Sequence, residues 1–343
     1  KISLDKIVGS DDYFLTADKD NLEFINSANV FSNQYNLTLG DIIKNANIVH
    51  VDLVNAGSDF IGQTIYDANE IKISSKGSNV ILTSDWYNND KITIVSLDND
   101  LTLNDLQATK LNSALGPDGK VYPGIIYAVD NINSLNSTIF LNFDPKSLNG
   151  SSTNLELDIK NSSLSLSGNF YNPSTAAPAT PPVSTNPYDI PADTNIENLS
   201  INIEDNVVLE NLNFLGLKNL KIMGDDLDRS FKIIEPLDNT VNQIDAKNTS
   251  SNLDINFSNA NFLVEKEVFL GSGDDIIDVG NSIVEGPKSD LFSGGKGIDT
   301  LKVRLEDEKN VKSEIKEFEK LEISFDANSV FDFSNVSDLE EIK

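Results

Sequence analysis

Short apolar runs alternate with polar turns from residue 1 to about residue 171. Examples are Asn21-Leu22-Glu23-Phe24-Ile25, Ile48-Val49-His50-Val51-Asp52-Leu53-Val54, Ile71-Lys72-Ile73, Val80-Ile81-Leu82 and Lys91-Ile92-Thr93-Ile94-Val95. Later ones are Thr138-Ile139-Phe140-Leu141 and Leu155-Glu156-Leu157-Asp158-Ile159. The period is near two and the runs are short, which predicts strands with one buried face. Two places read differently. From Asn104 to Leu115 the spacing of Leu103, Leu106, Leu111 and Leu115 predicts a helix ended by Gly116-Pro117. A short helical turn is expected at Asp41–Asn45.

Residues 172–194 change character, with prolines at 173, 178, 181, 182, 187 and 191 among Ser, Thr and Ala. Such a stretch cannot join a helix or an inner strand, so it reads as extended linker or surface loop. The expected division is a β-rich domain over 1–171, a linker over 172–194 and a β-solenoid domain over 195–343. A single solenoid with one long loop stays open as the alternative.

Beyond the linker a phrase recurs. It is Ile196-Glu197-Asn198-Leu199-Ser200-Ile201, then Leu209-Glu210-Asn211-Leu212-Asn213-Phe214, Leu217-Lys218-Asn219-Leu220-Lys221-Ile222 and Phe318-Glu319-Lys320-Leu321-Glu322-Ile323. Its Asn-Leu core also stands at residues 21–22, 154–155 and 252–253. Similar strands joined by variable turns suit a parallel solenoid, whose rungs stack like side chains into one core.

Composition narrows the partners. The net charge of −28 argues against nucleic acid and anionic membrane surfaces, both of which would repel the chain. The absence of cysteine removes disulfides, zinc-thiolate sites and thiol nucleophiles. No run of about 18 apolar residues is present, so no membrane-spanning segment is expected. The opening residues carry no charged-then-apolar leader. The chain begins and ends mid-pattern and reads as a piece of something longer.

The most specific chemistry lies within 270–302. The stretch opens Leu270-Gly271-Ser272-Gly273-Asp274-Asp275-Ile276-Ile277-Asp278 and closes Gly294-Gly295-Lys296-Gly297-Ile298-Asp299-Thr300-Leu301-Lys302. Both follow a nine-residue pattern, G-G-x-G-x-D-x-apolar-x, the first with Leu270 in place of the leading glycine. Glycine lets the backbone turn sharply and aim its carbonyls inward. The aspartate adds a charged oxygen to the same concavity. Calcium takes six to eight oxygens, more than one such turn offers, so stacked turns are needed to hold it. A decayed copy, Glu285-Gly286-Pro287-Lys288-Ser289-Asp290-Leu291-Phe292-Ser293, lies between, and residues 279–284 read as an insertion.

These repeats resemble the RTX family of secreted bacterial proteins, whose nonapeptides form a calcium-filled parallel β-roll. Combined with the recurring Glu-Asn-Leu rungs, the chain resembles RTX-type surface-layer proteins of Gram-negative bacteria. The resemblance implies an all-β fold, a β-solenoid or parallel β-roll with calcium-binding turns, preceded by a β-rich domain. It implies calcium held between copies n and n+2, with carboxylates from Asp275 and Asp299 and carbonyls from Gly271, Gly273, Gly295 and Gly297. Asp290 would contribute on the opposite edge. It also implies a non-enzymatic protein exported by a type I route to the cell surface. Its partners would be further copies of itself in a lattice, and lipopolysaccharide bound through a region outside this chain. The alternative is a calcium-stiffened adhesin or toxin segment binding host or glycan ligands.

Other candidates carry less. His50 is the only histidine and sits in an apolar strand pattern, so a His-based triad or zinc site lacks partners. No carboxylate pair stands out as a glycosidase site. Trp86-Tyr87, Tyr122 and Tyr127 read as packing residues before sugar platforms. The turns Gly9-Ser10-Asp11-Asp12, Gly57-Ser58-Asp59 and Gly224-Asp225-Asp226 read as plain turns before truncated calcium turns. Asp144-Pro145 matches the dipeptide at which some RTX proteins cleave themselves, and reads first as an ordinary turn.

Overall fold

A computed structural model of the chain describes residues 21–343 apart from 24–28, 32–41, 45, 47, 54–58, 61–63, 67, 84–85, 88, 107–113, 116–120, 123–125, 145–153, 171–195, 215, 225–228, 262, 284–288, 307–309 and 326–327. The protein is nearly all β and is built on long parallel ladders, as in a parallel β-roll or solenoid. It divides into two compact units, 1–156 with 167–196, and 157–166 with 197–343.

In the first unit the alternating runs stack as parallel columns. One column is Asn21–Glu23, Ile42–Lys44, Thr64–Tyr66 and Trp86–Tyr87. A second runs Asn29–Phe31, Ile48–Leu53, Glu70–Ser75, Lys91–Leu97 and Ile126–Asp130. A third runs Asp59–Phe60, Asn79–Leu82, Leu101–Leu106 and Asn133–Phe143. Like residues meet like across the rungs, as in Val49, Ile71 and Ile92, all fully buried. Each such side chain contributes on the order of 1.5–3 kcal/mol by leaving water. The β-rich half is therefore itself a parallel solenoid.

Both helical expectations are corrected where residues are described. Leu101–Leu106 is a strand, and Ala114–Leu115 pairs antiparallel with Val121–Tyr122. Residues 107–113 of the expected helix lie outside the described residues. A β-bulge imitated the helical spacing: Asp105 takes φ 64° and the register shifts between Asn104 and Leu106. The extra residue puts Leu103 and Leu106 on the same buried face three positions apart. Ile42–Lys44, at the expected helical turn, is likewise a strand held between two parallel neighbours.

In the second unit the described strands stack as two long parallel ladders, with Asn310–Val311 on Val330–Phe331 as a short third pairing. One ladder climbs through Asn198–Asn202, Asn219–Met223, Gln243–Asp245, Glu267–Phe269, Leu291–Ser293 and Glu314–Lys316. The other climbs through Val207–Leu209, Ser230–Ile233, Asn252–Asn256, Ile276–Gly280, Thr300–Leu305, Lys320–Phe325 and Glu341–Ile342. The recurring phrase sets the register, with Asn198 over Asn219 and Leu199 over Leu220, and the two asparagine side chains bond at 2.6 Å. Partners lie 24 residues apart at Ile277–Leu301 (301 − 277) and 20 apart at Leu301–Leu321 (321 − 301). Two nonapeptides would give 18, so the residues beyond 18 must be accommodated in the turns. The core is a stack of buried apolar columns, among them Ile244, Val268, Phe292 and Ile315.

Candidate metal centre

The glycine-aspartate turns enter the second ladder just before Ile276 and Thr300, and the pairing places the first copy directly under the third. Glycine is required there by contact. A Cβ on Gly295 would stand 2.0 Å from the Gly271 carbonyl oxygen, and one on Gly297 would stand 2.1 Å from that of Gly273. Both residues also take positive φ, 96° and 129°, a region closed to most side chains. Main-chain oxygens thus point up the stack from one turn to the next. The Gly271 carbonyl also accepts from the Lys296 N–H at 2.9 Å.

The aspartates stack in the same way. The Leu253 N–H donates to Asp275 Oδ1 at 2.8 Å, the Asp275 N–H to Asp299 Oδ1 at 2.8 Å, and the Asp299 N–H to Glu319 Oε2 at 2.7 Å. Each carboxylate reaches down one rung to satisfy a backbone donor. Asp275 also accepts from the Gly271 N–H through Oδ2, at 3.2 Å. Asp299 differs. Its side chain is fully buried, yet Oδ2 has no hydrogen-bond partner. That oxygen lies 2.8 Å from where a Cβ on Gly294 would be, in a cradle that a larger residue would fill.

The electrostatics follow from this stacking. Burial pushes the Asp275 carboxyl up to about 6, against the backbone N–H groups of Leu253 and Gly271 and with a further push from Asp274. Burial pushes Asp299 up to about 8, opposed by the Asp275 N–H and reinforced by the charges of Asp275, Glu319 and Asp274. Such a column of carboxylates favours either protons or a cation.

The opposite edge is built from different groups. Asp290 also precedes its strand and is fully buried, and its Oδ1 accepts from the Lys266 N–H at 2.8 Å. Here, however, the Lys266 ammonium lies 3.5 Å from the same oxygen, with both side chains fully buried. Lys266 Nζ also donates to the Val264 carbonyl at 3.0 Å. Residues 285–288 of the decayed copy lie outside the described residues.

The structure therefore brings Gly271, Gly273, Asp275, Gly295, Gly297 and Asp299 together and sets Asp290 apart from them. Lys266 and Glu319 were not read from the sequence as site residues. The signal was in the spacing: Lys266 precedes Asp290 by 24 residues, as Asp275 precedes Asp299. Among the described residues no three His, Cys, Asp or Glu side chains converge as a metal-holding group. A calcium ion here would depend on main-chain oxygens for most of its shell. The orphaned Asp299 Oδ2, the stacked carbonyls and the glycine-only cradle fit such a hard, oxygen-seeking cation.

The other candidates resolve into packing where they are described. Trp86 and Tyr127 are buried, and Tyr127 meets Phe143 edge-on with centroids 5.8 Å apart. His50 is half-buried on a central strand, paired in register with Lys72. Asp144 donates its N–H to the Leu106 carbonyl, while Pro145 lies outside the described residues, as do residues 9–12, 57–58 and 225–226. Among the described residues no helix is long and apolar enough to cross a membrane. Comparison with known proteins found no match, neither to a family model, nor to a curated protein, nor to a solved structure.

Proposed function

We propose that this is a non-catalytic, calcium-dependent structural protein of a bacterial cell surface, whose copies assemble into a surface layer outside the cell. The observation that carries the calcium half is the buried, half-satisfied Asp299 carboxylate stacked between Asp275 and Glu319. Asp275 and Asp299 would supply the charged oxygens, and the turns at Gly271, Gly273, Gly295 and Gly297 would supply carbonyls. A cation there neutralises groups that otherwise repel, so ion binding and folding are coupled. The assembly half rests on the resemblance of the repeats to surface-layer proteins and on the net charge of −28, which divalent ions between copies would relieve.

The test is a calcium titration from a chelated start, followed by circular dichroism and light scattering together. Gain of β-structure followed by large ordered particles is the expected result. Gain of β-structure in a protein that stays monomeric would remove the lattice and favour the adhesin reading. No change in either signal would refute both halves.

A further inference from the structure

The two edges of the roll carry the same acidic position but different charge balance. On the Asp299 edge the rungs bring Asp275, Asp299 and Glu319 into one column, three carboxylates in succession. On the other edge the register stacks Asn242, Lys266, Asp290 and Ser313, one cation and one anion between two neutral residues. Lys266 and Asp290 are fully buried. The lysine chain turns its ammonium into a nest made by the Asp290 carboxylate and the Val264 carbonyl, which are the kinds of oxygen a hard cation takes.

We infer that Lys266 is a covalently tethered stand-in for a metal ion, which makes the Asp290 edge independent of calcium and confines calcium uptake to the Asp299 edge. This inference rests on the calcium reading of the Asp299 column for its second half only. A buried carboxylate needs a partner of opposite charge. One edge carries that partner in the chain and leaves only the neutral Ser313 hydroxyl unmatched, whereas on the other the unmatched buried atom is a carboxylate oxygen, Asp299 Oδ2. Lys266 thereby sets how many ions the roll binds and which side they rigidify.

The experiment counts calcium per chain by native mass spectrometry in the full chain and in Lys266→Met, which shortens the side chain by one atom and removes the charge. Thermal melts in calcium and in chelator accompany it. The expected result is one more ion in Lys266→Met than in the wild type, with a larger rise in melting temperature on adding calcium. Equal ion counts would overturn the inference. If Lys266→Met does not fold at any calcium concentration while Lys266→Met/Asp290→Asn folds in chelator, calcium cannot take the lysine's place and the inference is also overturned. A wild type that binds no calcium beside a Lys266→Met variant that binds one would sink the Asp299 reading and leave the Lys266 assignment standing.

Discussion

Replacing Asp299 with asparagine should make the protein more stable in chelator and less stable in calcium. The substitution keeps the shape and keeps Oδ1 as an acceptor for the Asp275 N–H, but removes the charge from a buried site. Neighbouring rungs lie about 4.8 Å apart. Two unit charges at that separation repel by about 3.5 kcal/mol at an effective dielectric constant of about 20. Asp299 has such a neighbour on each side. The raised pKa gives a second route to the magnitude. A carboxyl that titrates at about 8 folded and at 3.8 otherwise loses about 5 kcal/mol of folding free energy between acid and pH 8. Relaxation of the turn and an already compact unfolded chain reduce this, so the expected gain for Asp299→Asn in chelator at pH 8 is about 2–5 kcal/mol. That corresponds to a rise of at least about 4 °C in the melting temperature of a unit this size. With calcium the order reverses, because the wild type gains the ion with both carboxylates while the variant keeps only Asp275 and the carbonyls. Differential scanning calorimetry of both proteins at pH 8, with calcium and with chelator, reads the crossing. A variant less stable than the wild type in chelator would refute the charge argument. A variant with an undiminished calcium response would remove Asp299 from the site.

Other outcomes follow from the same geometry. Asp275 and Asp299 hold their protons more tightly folded than unfolded, so their contribution to stability is fully present below about 3.8 and is lost as pH rises through about 6 and about 8. In chelator, urea midpoints should therefore fall across that window, and midpoints that rise would contradict the assignment. Because the ion must displace those protons, calcium affinity should grow about tenfold per pH unit between pH 6 and 8, which calorimetric titration in buffers of different ionisation enthalpy checks. Gly297→Ala should destabilise the second unit by about 3 kcal/mol or more, since its Cβ would stand 2.1 Å from the Gly273 carbonyl oxygen at φ 129°. A urea melt within 1 kcal/mol of wild type would show that the turn is not held as described. Phe292→Ala, in the buried column between Val268 and Ile315, should cost about 3–5 kcal/mol, read from the same melts.

Much of this architecture was legible in the residues, for reasons that differ along the chain. The Asn-Leu-x-apolar phrase marks register because each rung must repeat its neighbour, and Asn198 over Asn219 shows that repetition directly. The glycine-aspartate copies were legible because contact with the turn below allows nothing larger at Gly295 and Gly297. The strand at Leu101–Leu106 was misread because a single inserted residue, Asp105, changes an apolar spacing of two into one of three, which is also a helical signature. The parallel stacking of the first unit was hidden by uneven coils. Partners stand 22 apart at Val49–Ile71 (71 − 49) but 35 apart at Ile92–Tyr127 (127 − 92). Lys266 stayed out of sight because a lysine in an acidic, polar stretch usually marks a solvated face; only the coil length shows that it stands on Asp290.

In the proposed function Asp275 and Asp299 together hold calcium, and the ion stabilises the roll. Isothermal titration calorimetry with calcium, on the wild type and on Asp275→Asn/Asp299→Asn in parallel at pH 8, tests it most directly. Saturable binding is expected in the wild type and its loss in the double variant, which should remain folded in chelator. Equal calcium uptake by the two proteins would contradict it.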